Sequence, residues 1–210
     1  NLGAEASQYA LDWVEQLLTE AHINFRDLEA VAVGIGPGAF TGIRIGVGIA
    51  QGMAFAADLP CLPIVCLDAV ALEGIQSLKL VAGETILVAV DARMNEVYWA
   101  TYIVQNNGLP GRVGDLYLSL PEEIDCPKDS FYLVGNAVTN YVSEMSSLSN
   151  QALAVDPNVV PHAKSIATLG LDLLTRGMHV TAENLQPIYV RDKVAQTIAE
   201  RSDTALKTSS

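Results

Sequence analysis

The sequence predicts an α/β protein whose chain divides into two halves, because apolar strand-like segments alternate with helical patterns along most of its 210 residues. The first half carries a strand at residues 30–35 that runs into a glycine-rich turn and a long helix. The second half begins after Gly83-Glu84 with two apolar strands joined by a short turn. We therefore assign residues 1–82 to the first half, 83–191 to the second, and 192–210 to a polar tail that is expected to fray.

The sequence of the first half predicts three helices and two strands. Residues 5–21 form an amphipathic pattern, in which leucines and a valine recur at helical spacing beside acidic positions. The glycine-rich helix is expected to start near Phe40 or Thr41 and to end at about residue 56, with Thr41 as its N-cap. A short strand follows near residues 62–65, and Asp68 is expected to cap a further helix that ends near residue 78.

The sequence of the second half predicts a hairpin followed by two further strands and a helix. Residues 86–90 and 97–104 are apolar strands, and the residues between them predict a turn around Met94-Asn95. Gly177 follows a helical pattern in the position of a C-cap glycine. The other elements expected here are strands at residues 113–118 and 131–134 and a helix from Pro161 to Arg176.

The glycine-rich turn Gly36-Pro37-Gly38 is the most informative segment. A turn of this kind that delivers a helix N-terminus has the geometry that holds phosphates. The two best-known phosphate motifs fail, however. No lysine lies in residues 28–78, which excludes a Walker A loop, and the dinucleotide fingerprint lacks its third glycine. The residues alone therefore predict a strand–turn–helix unit and do not identify its ligand.

Small residues form one face of the glycine-rich helix. Gly42, Gly46 and Ala50 follow at i, i+4 spacing, so a second helix or a sheet can approach their backbone. Each glycine inside a helix costs about 1 kcal/mol relative to alanine, and this helix holds four of them. The sequence leaves two alternatives open: close packing within the core, or a helix–helix interface with another chain.

Composition and charge narrow the classes of function. The net charge is −12, with 24 acidic against 12 basic residues, which argues against direct nucleic-acid binding, since that depends on Lys and Arg contacts with phosphates. Hydrophobic residues make up 50% of the chain, yet no run approaches the roughly 20 apolar residues of a membrane span. The three cysteines match no metal spacing, so we expect reduced thiols in a cytoplasmic protein without membrane contact.

Three segments resemble the signatures of the TsaB (YeaZ) family: residues 34–52, residues 91–98 (Asp-Ala-Arg-Met-Asn-Glu-Val-Tyr) and residues 187–191 (Pro-Ile-Tyr-Val-Arg). The resemblance implies the fold of the actin, sugar-kinase and heat-shock ATPase superfamily, with two similar α/β halves around a cleft. Family members usually open with strands and a phosphate loop that this chain does not show before its first helix. We expect that the natural N-terminus was cut or unobserved, so that the first half is incomplete at its start.

The resemblance implies a non-catalytic scaffold or activator. Such a protein partners the transferase TsaD and the ATPase TsaE in forming threonylcarbamoyladenosine next to the anticodon of ANN-decoding tRNAs. It forms a homodimer when alone and meets tRNA only indirectly, through the complex. The alternatives are a small-molecule kinase or ATPase of the same fold, and an M22-like protease. The protease is disfavoured because residues 66–74 lack the His-x3-His metal pair of TsaD-type enzymes.

The resemblance also implies which residues form a vestigial nucleotide cleft and which form a partner surface. No catalytic or metal-binding residue and no required cofactor is expected, and any ATP or ADP binding would be weak and at a partner interface. Asp91, Arg93 and Asn136 each have a structural alternative, as a turn acceptor, an ion-pair partner and a helix N-cap. Arg44 could pair with the first helix, a nucleotide or a partner carboxylate. The expected cleft residues are Gly36, Gly38, Thr41, Asp91, Arg93, Gly135 and Asn136. The expected interface residues are Leu11, Val14, Leu18, Gly42, Arg44, Gly46 and Ala50.

Overall fold

A computed structural model describes residues 6–191, and it confirms the α/β class. The elements of the first half are α1 (Ala6–Ala21), β1 (Val31–Gly36), α2 (Phe40–Ala57), β2 (Cys61–Val65) and α3 (Cys66–Leu78). Those that follow are β3 (Thr85–Asp91), β4 (Val97–Val104), β5 (Pro110–Ser119), β6 (Phe131–Val134), α4 (Ala137–Asn140), α5 (Ser146–Gln151), β7 (Val155–Asp156) and α6 (Ala163–Thr175).

Within the described residues, the first sheet has two strands. β1 and β2 pair in parallel, with Val31 opposite Cys61. Helix α2 covers one face, where a methyl group added at Gly46 would lie 3.9 Å from Val33. Helix α6 covers the other face so closely that a Cβ on Gly170 would lie 2.8 Å from the Cβ of Ala32. Apolar residues on both faces of a parallel strand are therefore explained by helices on both sides.

The second sheet has the strand order β5-β4-β3-β6-β7. β3 pairs antiparallel with β4 and parallel with β6, so it lies at the centre. Alternate residues of β3 enter different clusters: Ile86 and Val88 pack on the side of α3, and Leu87 and Ala89 pack with Met145 and Leu148 on the side of α4 and α5. Because both faces are buried, β3 is apolar without interruption from Ile86 to Val90, and Asp91 ends it.

The chain returns to the first half after α6. Val180 bridges to Cys61, and the Ile188 amide donates to the Ile35 carbonyl at 2.8 Å. Helix α6 packs on β1 and β2, although it lies within the range assigned to the second half. The change of sheet falls between α3 and β3. Residues 163–191 contact both halves, through α6 on the first and through Arg191 on the second.

The structure confirms that α2 starts at Phe40, and it corrects two predicted caps and the start of α6. Thr41 is not the N-cap of α2, because the Ala39 carbonyl already accepts the Ile43 amide at 2.9 Å and Ala39 takes the cap position. Asp68 is not a cap, because α3 starts directly after β2 with Val65 as its cap residue, and the Asp68 carboxylate accepts the Tyr102 hydroxyl instead. Helix α6 starts at Ala163 rather than at proline 161.

The end of α6 is as predicted. Gly177 has a φ of +67°, which is the left-handed conformation that suits glycine after a helix. Its amide donates to Leu174, and the Met178 amide donates to Leu173 at 2.8 Å. These two bonds form the Schellman motif, so the last carbonyls of α6 find partners.

Helix α2 is long and apolar enough, by length and composition alone, to cross a membrane, and it is the one helix of residues 6–191 of which this is true. Such a helix is weak evidence for a span, since helices on the core of a globular protein pass the same test. Here α2 buries Val47, Ala50 and Ala54 against the first sheet. The absence of membrane contact stays a prediction.

Candidate functional site

A cleft of about 430 Å³ lies where the two halves meet. Three segments line it: the start of α2 with the turn before it, the turn between β3 and β4, and residues 188–191. Gly38, Asp91, Arg93 and Asn136 are among its lining residues, so the structure brings these predicted residues together. Thr41 does not line it, because its side chain is exposed on the first turn of α2.

Gly36 is required by the close approach of the C-terminal segment. Its φ is +111°, and a Cβ at this position would lie 2.9 Å from the Ile188 carbonyl oxygen. A side chain here would therefore be strained and would also push residue 188 away from β1. Gly38 has ordinary space for a Cβ, 3.5 Å from Ile43, and no positive φ. Of the two glycines in the turn, Gly36 is the one that the backbone demands.

Gly135 and Asn136 join β6 to the end of β3. Gly135 has a φ of +108°, and a Cβ there would collide with the Ala89 carbonyl. Asn136 stands in the N-cap position of the short helix α4, but its side chain does not cap that helix. Its Oδ1 accepts the Asp91 amide at 3.0 Å instead. Both residues therefore hold the cleft edge of the second sheet together.

Asp91 uses its carboxylate within the chain. Oδ1 accepts the Tyr141 hydroxyl at 2.7 Å and the Arg93 amide at 2.8 Å, and Oδ2 accepts Asn140 Nδ2 at 2.9 Å. Burial raises the pKa of Asp91, but these hydrogen bonds and the charge of Arg93 together outweigh burial and hold that pKa below its ordinary value. Burial and the bond to Asp91 raise the pKa of Tyr141 to about 12. The geometry thus supports the structural alternative for Asp91, a turn acceptor that stays ionised.

The turn between β3 and β4 has an uncommon backbone. Arg93, Met94 and Asn95 have φ values of 64°, 58° and 58°, so three successive L-residues are left-handed. Each such residue costs about 1–2 kcal/mol relative to the right-handed region, and somewhat less for asparagine. Arg191 offsets this cost, because its guanidinium donates to the Arg93 carbonyl at 3.2 Å and forms an ion pair with Glu96.

Arg44 lies on aromatic rings at the mouth of the cleft. Its guanidinium carbon is 3.9 Å from the centre of the Phe40 ring, and Nε donates to the Tyr189 hydroxyl at 2.8 Å. Of the three partners left open for Arg44, a salt bridge with α1 does not form among the described residues. The cation stacks on Phe40 and reaches toward Tyr189 instead.

A second concave surface, which we call the apolar groove, lies between α1 and α2 and encloses about 730 Å³. Its α1 side presents Leu11, Val14 and Leu18, all three of them predicted interface residues. The groove is completed by Glu15, Thr19, Ile23, Asn24, Phe25, Gly48, Ile49, Gly52, Met53 and Ala56. It is open to solvent, and nothing in the described residues covers it.

The structure corrects the face of α2 that borders this groove. Gly46 is half-buried and faces Val33 of β1, and Ala50 is 3% exposed within the core, so this face of α2 packs on the first sheet. Gly42 is exposed beside Ala39, outside the groove. A Cβ on Gly48 or Gly52 would meet nothing within 4 Å. The exposed face of α2 could not be predicted, because small residues occur on both sides of this helix.

Sequence reasoning missed several side chains of both sites. Tyr141 and Asn140, the partners of Asp91, lie about 50 positions along the chain, and no pattern in the sequence connects them to it. Tyr189 lies inside the segment that carries a family signature, which was the available signal for it. Met53, on the α2 side of the groove, carried no signal in the sequence.

The titratable groups of the described residues form no further site. Within residues 6–191, no three His, Cys, Asp or Glu side chains come together as a metal centre. Asp68, Tyr102 and Arg112 do form a cluster that joins α3 to β4 and β5, with bonds of 2.9 and 3.4 Å to the carboxylate. Burial raises the pKa of Asp68 above its ordinary value, although Arg112 and Tyr102 oppose this.

Comparison with known proteins places the chain among tRNA-modification proteins. Residues 4–199 match the family model described as TsaD, tRNA N6-adenosine threonylcarbamoyltransferase. The chain is 33% identical over 196 residues to the tRNA threonylcarbamoyladenosine biosynthesis protein TsaB of Escherichia coli strain K12, covering 91% of this chain and 83% of that protein. It is 30% identical over 195 residues to TsaB of Haemophilus influenzae, covering 88% and 79%. Among solved structures, YeaZ from Pseudomonas aeruginosa has a TM-score of 0.79 at 34% identity, covering 88% of this chain and 84% of that one.

Proposed function

Because this chain belongs to the TsaB (YeaZ) family, we propose that it is a non-catalytic subunit of the machinery that makes threonylcarbamoyladenosine in tRNA. Its fold is that of the actin, sugar-kinase and heat-shock ATPase superfamily, which TsaD shares. In this role the chain supplies a binding surface and an activating contact, and the transferase reaction takes place on another subunit. The product is the modified adenosine next to the anticodon of tRNAs that read ANN codons.

The open apolar groove between α1 and α2 is the observation that carries this proposal. Leu11 is 60% exposed in the isolated chain, and the neighbouring wall of α2 offers Gly48 and Gly52 with nothing opposite them. An exposed apolar surface of this extent marks an interaction site in a protein of this size. We propose that TsaD fills the groove in a heterodimer and that a second copy fills it when the chain is alone.

The state of the cleft supports a non-catalytic role. The one carboxylate that the sequence placed there, Asp91, has its oxygens bonded to Tyr141, Asn140 and the Arg93 amide. A general base needs a free acceptor near the substrate proton, and a carboxylate held ionised by three donors is a weak one. No cofactor is required under this proposal. Weak ATP or ADP binding where the cleft meets a partner is the alternative that a titration would reveal.

Charge supports an indirect contact with tRNA. With a net charge of −12, the chain offers few cations to neutralise phosphates, so a partner would carry the nucleic-acid contact. TsaE, the ATPase of the same pathway, would join the complex of this chain with TsaD. We place this assembly in the cytoplasm, where tRNA modification and reduced thiols are both expected.

A reconstitution experiment tests the function. TsaD, TsaE, the threonylcarbamoyl donor and an ANN-decoding tRNA are combined with and without this chain, and the modified nucleoside is measured by mass spectrometry. We expect modification only when the chain is present, and no modification when TsaD is omitted. Modification by the chain without TsaD would show that it is itself the transferase.

An Asp91→Asn variant provides the matched test of catalysis in the same assay. If Asp91 is structural, the variant supports full modification at low temperature, where its lower stability does not limit it. A complete loss of modification by a folded Asp91→Asn chain that still binds TsaD would assign the carboxylate to catalysis and overturn the non-catalytic proposal.

A further inference from the structure

The segment after α6 touches both halves of the molecule within a few residues. On the first half, the Leu185 carbonyl accepts Gln51 Nε2 at 2.9 Å and the Ile188 amide donates to Ile35 at 2.8 Å. One residue further, the Tyr189 hydroxyl accepts Arg44 Nε at 2.8 Å. These contacts fix the segment to β1 and α2, on the side of the glycine-rich turn.

The same segment ends on the second half. Arg191 Nη2 donates to the Arg93 carbonyl at 3.2 Å and pairs with Glu96, and its Nη1 lies 3.4 Å from Met94 Sδ. One guanidinium therefore contacts three residues of the turn between β3 and β4. Its side chain is 14% exposed, so these bonds form largely away from water.

The residues of the turn that Arg191 contacts have little intrinsic preference for the backbone conformation that they adopt. Arg93, Met94 and Asn95 are left-handed although none is glycine. Such strain persists only where the surroundings determine it, and it is concentrated at functional sites. Within the turn, the Arg93 carbonyl accepts the Glu96 amide at 3.1 Å and the Glu96 carbonyl accepts the Ala92 amide at 2.9 Å. The second lone pair of the Arg93 carbonyl and the Glu96 carboxylate can still accept from a partner outside the turn. Arg191 is that partner.

We propose that residues 187–191 act as a strap that sets the shape of the cleft. The strap ties the glycine-rich turn of the first half to the β3–β4 turn of the second, and Arg191 is the positioning residue that holds Arg93, Met94 and Asn95 in their left-handed conformations. Arg93, which is 87% exposed, and Met94 both line the cleft, so the strap determines where these side chains stand at its rim.

Hydrogen exchange tests whether Arg191 holds the turn between β3 and β4 in its conformation. The reporters are the Ala92 and Glu96 amides, which donate to Glu96 and Arg93 inside the turn. In Arg191→Met we expect both amides to exchange at least about tenfold faster, the scale of one lost hydrogen bond to a charged group. Arg176→Met is the matched control, since Arg176 pairs with Asp172 within α6, and it leaves both rates unchanged. Wild-type exchange at Ala92 and Glu96 in Arg191→Met overturns the proposal.

Glycine rescue separates positioning from general support. Glycine adopts a positive φ without a side-chain penalty, so Met94→Gly with Asn95→Gly added to Arg191→Met should restore slow exchange at the two reporter amides. A contact that only packed the turn would not be replaced by glycine. Failure of the glycines to slow exchange in the Arg191→Met background counts against the positioning role.

A variant at Tyr189, which contacts the first half, tests the strap as a whole. Tyr189→Phe removes the hydroxyl that accepts Arg44 on the first half and leaves Arg191 intact. If the attachment of residues 187–191 to the first half helps to hold the β3–β4 turn, the Ala92 and Glu96 amides exchange faster in Tyr189→Phe as well. Unchanged rates at these amides would show that Arg191 acts locally and would overturn the strap. Every readout is made on the isolated chain, so the result does not depend on which complex the protein joins.

Discussion

The Tyr141 hydroxyl donates a hydrogen bond of 2.7 Å to the Asp91 carboxylate, across 50 positions of the chain. This bond ties the segment between α4 and α5 to the end of β3, and with Asn140 and the Arg93 amide it occupies the carboxylate. The acidic residue at the cleft therefore has a task in the fold, which is to hold together the elements that meet there.

Loss of this bond should destabilise the second half. Tyr141→Phe removes the hydroxyl and leaves the ring in place, so the expected loss is about 1–3 kcal/mol in the free energy of unfolding, the range for a hydrogen bond to a charged group. Urea unfolding followed by circular dichroism measures it. Tyr117→Phe is the control, because Tyr117 is partly exposed and stacks on Trp99 through its ring. Equal stabilities for Tyr141→Phe and the wild type would contradict the structural role.

The pH dependence of stability should carry the signature of Asp91. Its pKa is lower in the folded chain than in the unfolded one, so the unfolded state binds the proton more tightly. The stability that this carboxylate contributes is present above its ordinary pKa and is lost as the pH falls toward the folded value. Asp91→Asn should therefore flatten the acid side of the stability curve, measured as urea midpoints between about pH 3 and pH 7, near and above the ordinary pKa of Asp.

Asp68 provides the control of opposite sign. Burial raises its pKa in the folded chain, so its contribution falls as the pH rises from the ordinary value of an aspartate toward the folded value. Asp68→Asn should steepen the same acid limb that Asp91→Asn flattens. Two variants that change the limb in the same direction would contradict the assigned shifts.

The glycines of the helices should respond in opposite ways to alanine. A Cβ on Gly74 would lie 2.8 Å from Ile86 Cδ1 and about as close to Val134, so Gly74→Ala overpacks the core and should cost about 1–3 kcal/mol. A Cβ on Gly52 meets nothing within 4 Å, so Gly52→Ala should stabilise the chain by about 0.5–1 kcal/mol through helix propensity. Thermal unfolding ranks the two, and a stabilising Gly74→Ala would be inconsistent with the packing of α3 on the second sheet.

Thiol labelling should distinguish the cysteines. Cys126 is exposed and Cys61 is buried, and burial raises the pKa of the Cys61 and Cys66 thiols. Because the thiolate is the reactive form, a thiol reagent in slight excess at neutral pH should modify Cys126 first. Mass spectrometry of the labelled peptides reads this directly. Rapid labelling of Cys61 in the folded chain would mean that β2 is not buried as described.

The sequence predicted the elements well where periodicity and breaker residues agree. Strands β1 to β6, the hairpin turn around Met94 and the C-cap at Gly177 follow from local pattern alone, whereas the two-residue strand β7 was not predicted. The start of α2 at Phe40 was predicted, but the cap residues were not, because capping depends on which carbonyl is already bonded. At Thr41 and Asp68, the geometry of the preceding strand decided the start, and the side chains took other roles.

The site could be predicted only in part. Gly38, Asp91 and Asn136 follow from the family resemblance, and all three line the cleft. The bonds of Asp91 nevertheless depend on Tyr141, and the close approach at Gly36 depends on Ile188, and only the folded chain brings these partners near. The exposed face of α2 could not be predicted, because Gly46 and Gly52 are the same residue type on opposite sides of one helix. What separates them is the presence of β1 on one side.

We propose the apolar groove between α1 and α2 as the partner surface. Leu11 lines the groove, whereas Leu17, on the same helix and 63% exposed, does not. Leu11→Asp and Leu17→Asp therefore add the same charge to one helix, inside the groove and outside it. Gly46→Leu cannot serve this purpose, because Gly46 faces β1 and the variant would disturb the fold.

Isothermal titration of the two aspartate variants with purified TsaD is the most direct measurement, after circular dichroism has shown that both are folded. We expect Leu11→Asp to weaken the association at least about 30-fold, the scale of a residue at the centre of an interface that costs 2 kcal/mol or more. We expect Leu17→Asp to bind within about threefold of the wild type, as residues outside an interface do. Wild-type affinity of a folded Leu11→Asp chain would contradict the assignment of the groove as the partner surface.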